Sequence, residues 1–283
     1  KLASVGHGQP RIDGAERVTG RATYTADIQL PGMLYGKIFR SPHPHAKIKK
    51  IETRRAEKVP GVYTVLTYKN IPKIPFYGGQ TFILDETVRY VGDEIACVIA
   101  EDEDICEDAV EEIKVDYDLL PFVLDPEEAL EPKAPKVQPE GNIFRGTPEI
   151  YERGDIRPGF DQSDIIVEDV FKTQTALHNS MEPHGSVAHW EGDHLTVWDS
   201  TQYIFGVRES LAEYLDLPLD KVRVIKKYMG GGFGSKNRTG KYTVLAALGA
   251  RMIGRPVKII LDRHEENITA GNRPSSTQYL KIG

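Results

Sequence analysis

Apolar and polar residues alternate over residues 33–41 (MLYGKIFRS) and again over 45–53 (HAKIKKIET), predicting two strands that each turn one face inward. Residues 57–67 (EKVPGVYTVLT) give another strand behind a Pro60-Gly61 turn. Residues 93–100 (DEIACVIA) are apolar almost without a break, which suits a strand covered on both faces. The period then changes: Ile105, Ala109, Val110 and Ile113 share a helical face behind an acidic first turn. Residues 113–124 return to strand, whereas 11–30 are polar with a short β-like centre closed by Pro31-Gly32. Hairpins mixed with one or two helices make residues 1–130 an α+β unit.

Between residues 125 and 160 stand Pro126, Pro132, Pro135, Pro139, Pro148 and Pro158, with many charges and little periodicity. That composition predicts an extended surface linker over residues 131–160. Residues 161–283 form the second unit. Two or three strands are expected over 163–202, with a tight turn at Glu191-Gly192-Asp193. Ile204, Val207, Leu211, Tyr214 and Leu215 mark a helix over 203–217, ended by Pro218. A strand over 221–229, a helix over 239–254 and a strand over 255–263 follow. A last strand over 276–283 has no successor to pair with. It is therefore expected to pair with another polypeptide or with a later part of a longer chain.

With 283 residues the chain is long enough for two domains and at least one substantial core. A net charge of −6 argues against nucleic acid as the main partner, because phosphate binding needs a basic face. No apolar run is long enough to span a bilayer and no secretory leader opens the sequence, so no membrane association is expected. Cys97 and Cys106 lie in different predicted elements and read as buried small hydrophobes of a reducing, cytoplasmic compartment. A four-thiolate iron–sulfur cluster cannot be built from two cysteines.

Residues 230–234 (GGGFG) carry the candidate chemistry: four glycines in five positions between a strand and a helix. A phosphate loop of the form GxxxxGK[ST], counted from Gly230, fails at Ser235 and Asn237. A dinucleotide fingerprint GxGxxG fails at Ser235. What remains is either a cradle of backbone N–H groups for an anion or electron-rich oxygen, or a tight turn packed on a neighbouring strand. Spacing alone leaves both open.

The segment MGGGFGSK, preceded by DSTQ and followed by GRPVKIILDRHEE, resembles the molybdenum hydroxylases, the xanthine dehydrogenase and aldehyde oxidase family. GRATYTADI, MLYGKIFRSPHPHAKIKKIE, VPGVYTVLT, RYVGDEIACVIAE and VDYDLLPFVLDPEEAL resemble successive pieces of that family's α/β-hammerhead domain. MEPHGSVAHWE and TAGNRPSS resemble the start of its molybdopterin-binding domain, a mixed α+β unit that would be incomplete here. The resemblance implies oxidative hydroxylation of an N-heterocycle, purine or aldehyde, with water as the oxygen source. It also implies a molybdenum cofactor held through the pterin dithiolene, with no direct protein ligand to the metal. Whether that cofactor is the cytosine dinucleotide form stays open. [2Fe-2S] and FAD groups are implied on partner subunits.

Residue by residue, Gln202 matches the glutamine that hydrogen-bonds the metal's apical oxygen. Gly231, Gly232, Phe233 and Gly234 match the loop that approaches the cofactor, and Phe233 and Asn237 match its substrate wall. Xanthine-oxidising relatives carry a glutamate where Asn237 stands, which puts xanthine itself in doubt. The family's general-base glutamate falls beyond residue 283, so no catalytic residue is assigned in this chain. Further polypeptide is expected to complete the pocket.

Glu182 and His184 read either as polar groups near the cofactor, where the family often has a glutamate, or as a strand-end turn with a solvent-facing carboxylate. Lys226, Lys227, Lys236, Arg238 and Lys241 read either as a solvated basic rim or as including one or two cations for a cofactor phosphate. His43 and His45, flanking Pro44, read as loop histidines, and the spacing of His184, His189 and His194 does not suit a metal site. Two rival functions stand beside the hydroxylase. One is a hydroxybenzoyl-CoA reductase or carbon monoxide dehydrogenase type of the same family. The other is a non-catalytic assembly subunit.

Overall fold

The computed structural model describes residues 3–283. In chain order its strands are β1 (Leu34–Arg40), β2 (Ala46–Glu52), β3 (Val62–Thr67), β4 (Pro75–Phe76), β5 (Thr81–Phe82), β6 (Thr87–Val88), β7 (Glu94–Ala100) and β8 (Lys114–Leu119). They continue as β9 (Val167–Thr173), β10 (Gly185–Glu191), β11 (His194–Asp199), β12 (Val222–Ile225), β13 (Val257–Ile260) and β14 (Ser276–Ile282). The helices are α1 (Gly14–Val18), α2 (Glu103–Glu111), α3 (Arg157–Asp161), α4 (Ile204–Tyr214), α5 (Lys241–Ile253) and α6 (Arg263–Thr269). Segregated helices on mixed sheets give the expected α+β class.

One seven-stranded sheet, in the order β12-β11-β10-β13-β1-β7-β3, takes strands from both sides of the proline-rich segment. The two sets meet where β1 runs parallel to β13, pairing Leu34 with Val257 and Tyr35 with Lys258. Each face carries its own core. Cys97 and Ile99 of β7 enter the core with α4 and α5, while Ala96, Val98 and Ala100 enter the one that holds Cys106 and Ala109 of α2. This explains why β7 is apolar at nearly every position: all seven residues are buried. The three-stranded sheet β6-β2-β8 contributes Val88, Ile48 and Ile51 to the α2 side.

The cysteines therefore lie on opposite faces of the sheet, and neither is disulfide-bonded. Burial raises both thiols, Cys106 to about 12. Helix α2 is N-capped by Asp102, whose carboxylate accepts the Asp104 N–H at 2.8 Å. Helix α5 is buried from Lys241 to Ala250 and stops at Gly254, in the left-handed region at φ 75°.

Several expectations need correction. Residues 11–30 contain α1 and no strand. The strand expected over 221–229 ends at Ile225, because the chain must leave the sheet to enter the glycine turn. Helix α6, capped by Asp262 and Glu265 in a reciprocal capping box, begins inside the stretch read as strand 255–263. The last strand does have a partner within the chain: β14 pairs antiparallel with β9, from Ser276 opposite Thr173 to Ile282 opposite Val167. Sequence proximity hides a pairing that spans more than a hundred residues.

Lys241 belongs to no exposed rim. Its ammonium lies 2.9 Å from Asp93 Oδ1 and 3.0 Å from Glu94 Oε2, and all three groups are buried. Arg40 donates to Glu94 Oε1 and to Glu265 Oε1, both at 2.9 Å. This network ties β1, β7, α5 and α6 together. Burial alone would raise the Glu94 carboxyl, but Lys241 and Arg40 outweigh it and hold the group down to about 2.

Replacing Lys241 with Met should destabilise the protein by ~3–5 kcal/mol, because it strands buried carboxylates; chemical denaturation with a global probe measures this. In native protein neither Cys97 nor Cys106 should react with a thiol reagent at neutral pH, and both should titrate once it is unfolded.

Candidate functional site

Strand direction brings the relevant segments to one edge of the sheet. β11 and β12 run parallel, so Asp199–Gln202 and the chain after Ile225 leave at the same end. β10 is antiparallel to both β11 and β13, so its beginning, residues 180–184, and the end of β13 with α6 arrive there too. The DSTQ segment is then anchored residue by residue. Asp199 accepts from the hydroxyls of Ser186 and Thr243, and Ser200 Oγ accepts the Gly185 N–H at 3.0 Å. Thr201 Oγ1 donates to the Lys236 carbonyl at 3.1 Å, and the Gln202 N–H donates to the same oxygen at 2.7 Å.

The glycine segment turns at Gly232–Ser235, closed by the Ser235 N–H donating to the Gly232 carbonyl at 2.9 Å. Its two central residues, Phe233 (φ 52°) and Gly234 (φ 98°), both lie at positive φ. Such a mirror-image turn suits glycine at both places, and a phenylalanine there costs ~1–2 kcal/mol. The strain does not serve packing, since Phe233 is 72 % exposed. Glycine at 232 serves close approach: a Cβ would stand 2.5 Å from Gln202 Oε1.

Gln202 and the turn hold each other. Gln202 Oε1 accepts the N–H of Gly234 at 2.9 Å and of Lys236 at 3.3 Å. With its oxygen occupied, the amide presents its NH₂ as a donor that is unpaired among the described residues, on an exposed side chain. Among the described residues the N–H groups of Gly231, Gly232 and Phe233 make no hydrogen bond either. Three backbone donors and one amide donor thus surround one turn. A pterin-held metal centre bearing oxygen ligands offers acceptors in this number, and the donor set fits it. A phosphate anion would also be accepted by such amides; of the basic residues around them, Lys236 and Lys241 are buried in ion pairs, while Lys226, Lys227 and Arg238 make no ion pair among the described residues.

Of the sequence-derived site residues, Gln202, Gly231, Gly232, Phe233 and Gly234 come together at this turn. Asn237 lies beyond it and lines a groove of about 480 Å³ with Tyr77, Phe144 and Tyr203. Phe233 does not line that groove.

Sequence reading did not pair the groups that support the turn. Glu182 is buried, not solvent-facing. Its Oε2 accepts the Gly230 N–H at 2.8 Å and the Lys236 ammonium at 3.1 Å. Lys236 is itself enclosed at 1 % exposure, and burial pushes its pKa down despite Glu182. His184 Nδ1 lies 2.8 Å from Glu266 Oε1, while Nε2 is buried without a partner among the described residues. His45 is also no free loop histidine, since its Nδ1 contacts the Pro121 carbonyl at 2.7 Å. None of these pairs has a local signal, because each joins residues far apart in the chain.

Comparison with known proteins gives the family. Residues 19–121 match the aldehyde oxidase and xanthine dehydrogenase a/b hammerhead domain, and residues 137–283 match the molybdopterin cofactor-binding domain. The chain is 40 % identical over 278 residues to a probable xanthine dehydrogenase subunit of Bacillus subtilis, covering 96 % of this chain and 37 % of that one. It is 34 % identical to the nicotinate dehydrogenase large molybdopterin subunit of Eubacterium barkeri, covering 99 % and 66 %. Among solved structures, quinoline 2-oxidoreductase from Pseudomonas putida 86 superposes with a TM-score of 0.86 at 30 % identity, over 99 % of this chain and 37 % of its own. The chain thus spans a little over a third of the length of the first of these relatives. With both family models matched in order and the donor-lined turn inside the second, the chain belongs to the molybdenum hydroxylase family of xanthine dehydrogenases and aldehyde oxidases.

Proposed function

We propose that this chain is the hammerhead (residues 1–130), linker (131–160) and first part of the molybdopterin-binding domain (161–283) of a molybdenum-dependent oxidoreductase that hydroxylates an N-heterocycle or aldehyde. The observation that carries the proposal is the set of unpaired donors at the turn: the amides of Gly231, Gly232 and Phe233 with the NH₂ of Gln202. When bound, the molybdenum cofactor supplies the two-electron oxidation that lets water deliver its oxygen to carbon.

The chain's own residues hold and orient. Backbone donors fixed by a strained turn need no reorganisation when they meet developing negative charge. Gln202 contributes a neutral donor, its carbonyl oxygen being fixed by Gly234 and Lys236. Glu182 holds the turn through Oε2, which accepts from Gly230 and Lys236. The general base is assigned to other polypeptide, as the family resemblance implies. Asn237, a neutral amide on the groove wall, favours a substrate other than xanthine. Relatives named for nicotinate and quinoline support the N-heterocycle class.

Electrons leave through [2Fe-2S] and FAD partner subunits, because the two thiols here are buried on opposite sides of a sheet. Relatives named as subunits support such an assembly. Reduced cysteines favour a cytoplasmic location. No helix among the described residues is long and apolar enough to cross a membrane.

The complex purified with its partners should contain about one molybdenum per copy of this chain; metal analysis showing none would favour an assembly subunit. Gln202→Glu keeps both acceptor contacts to the turn but loses the NH₂ donor. It should retain molybdenum and lower kcat/KM by ~10²–10³-fold. Unchanged kcat/KM in that variant would remove Gln202 from the site.

A further inference from the structure

We propose that Glu182 and Lys236 are a positioning pair that clasps both ends of the glycine turn and thereby sets Gln202; the inference rests on the cofactor reading above. At one end, the Glu182 N–H donates to the Gly230 carbonyl at 3.2 Å, and the Gly230 N–H returns to Glu182 Oε2 at 2.8 Å. At the other end, the Lys236 ammonium donates to Glu182 Oε2 at 3.1 Å and to the Glu182 carbonyl at 2.8 Å. One residue therefore grips the segment before and after the three free amides. Gly230 has to be glycine for this grip, since a Cβ there would stand 2.6 Å from Glu182 Cβ.

Lys236 transmits the grip to Gln202. Its carbonyl receives the Gln202 N–H and the Thr201 hydroxyl, and its N–H reaches Gln202 Oε1. Main chain and side chain of Gln202 are thus both referred to the same lysine. At 1 % exposure the ammonium cannot touch a substrate. A chain this long could have been replaced by apolar packing at little cost to stability, because buried pairs seldom add net stability over hydrophobic isosteres. What an apolar chain cannot do is donate to the Glu182 carboxylate and carbonyl at once. The pair supports the site in the manner of a second layer that keeps contact groups within tolerance.

The test uses the full enzyme with its partners, in cofactor-free and loaded forms. The variants are Lys236→Met and the double variant Glu182→Gln with Lys236→Met, which leaves neither charge alone. Hydrogen exchange should accelerate about tenfold or more at the Gly234 and Lys236 amides of the cofactor-free variants, with α5 residues 247–253 unchanged. Molybdenum content of the loaded variants should fall with it. Unchanged exchange at those two amides would overturn the proposal. Acceleration spread equally into α5, or failure of both variants to fold, would overturn it as well, making the pair an ordinary core stabiliser. Wild-type enzyme without molybdenum would defeat the cofactor reading alone, and exchange in the cofactor-free protein would still decide the clasp.

Discussion

The parallel pairing of β11 with β12, beside antiparallel β10 and β13, sends four chain ends to one edge of the sheet, and every candidate functional group sits on one of them. Residues 180–184 enter β10 there, Gln202 follows β11, the glycine turn follows β12, and Glu266 follows β13 on α6. No single segment could assemble this set. The sheet is in turn joined to the first half of the chain through β1, whose parallel contact with β13 is only two residue pairs long. So short a seam needs reinforcement. The buried charges of Arg40, Asp93, Glu94, Lys241 and Glu265 cross it and tie the base of α5 to β7.

Two buried ionic clusters thus serve different ends. The one around Lys241 joins elements, and its carboxylates have two cations to share. The one around Lys236 holds a loop against one carboxylate and one carbonyl. Between them they keep a strained turn in place while three of its amides stay unpaired. A loop left to itself would relax Phe233 out of the left-handed region and close those amides on its own carbonyls. Function here depends on donors that the fold leaves unpaired, held in place by Glu182 and Lys236 behind the turn.

Much of the fold is legible in the sequence because it is periodic. The alternation over 33–41 and 45–53 gives β1 and β2, the unbroken apolar run gives β7, and the stripes at Ile204–Leu215 and over 239–254 give α4 and α5. The glycine turn and Gln202 are legible through their resemblance to a family motif. Glu182 and Lys236 are not, since a loop has no period to betray which side faces inward and their contact spans 54 positions. The same reason hides the pairing of β14 with β9 and of His184 with Glu266. Lys236 and Lys241 stand among lysines and arginines that suggest a solvated rim; only the buried carboxylates opposite them show otherwise.

A high-resolution structure of the complete, cofactor-loaded enzyme tests the central claim most directly. The N–H groups around Phe233 and the NH₂ of Gln202 should point at oxygen or pterin atoms of the cofactor, with at least one at ~2.7–3.1 Å. A cofactor seated elsewhere, with those donors closed against other protein groups, would contradict it.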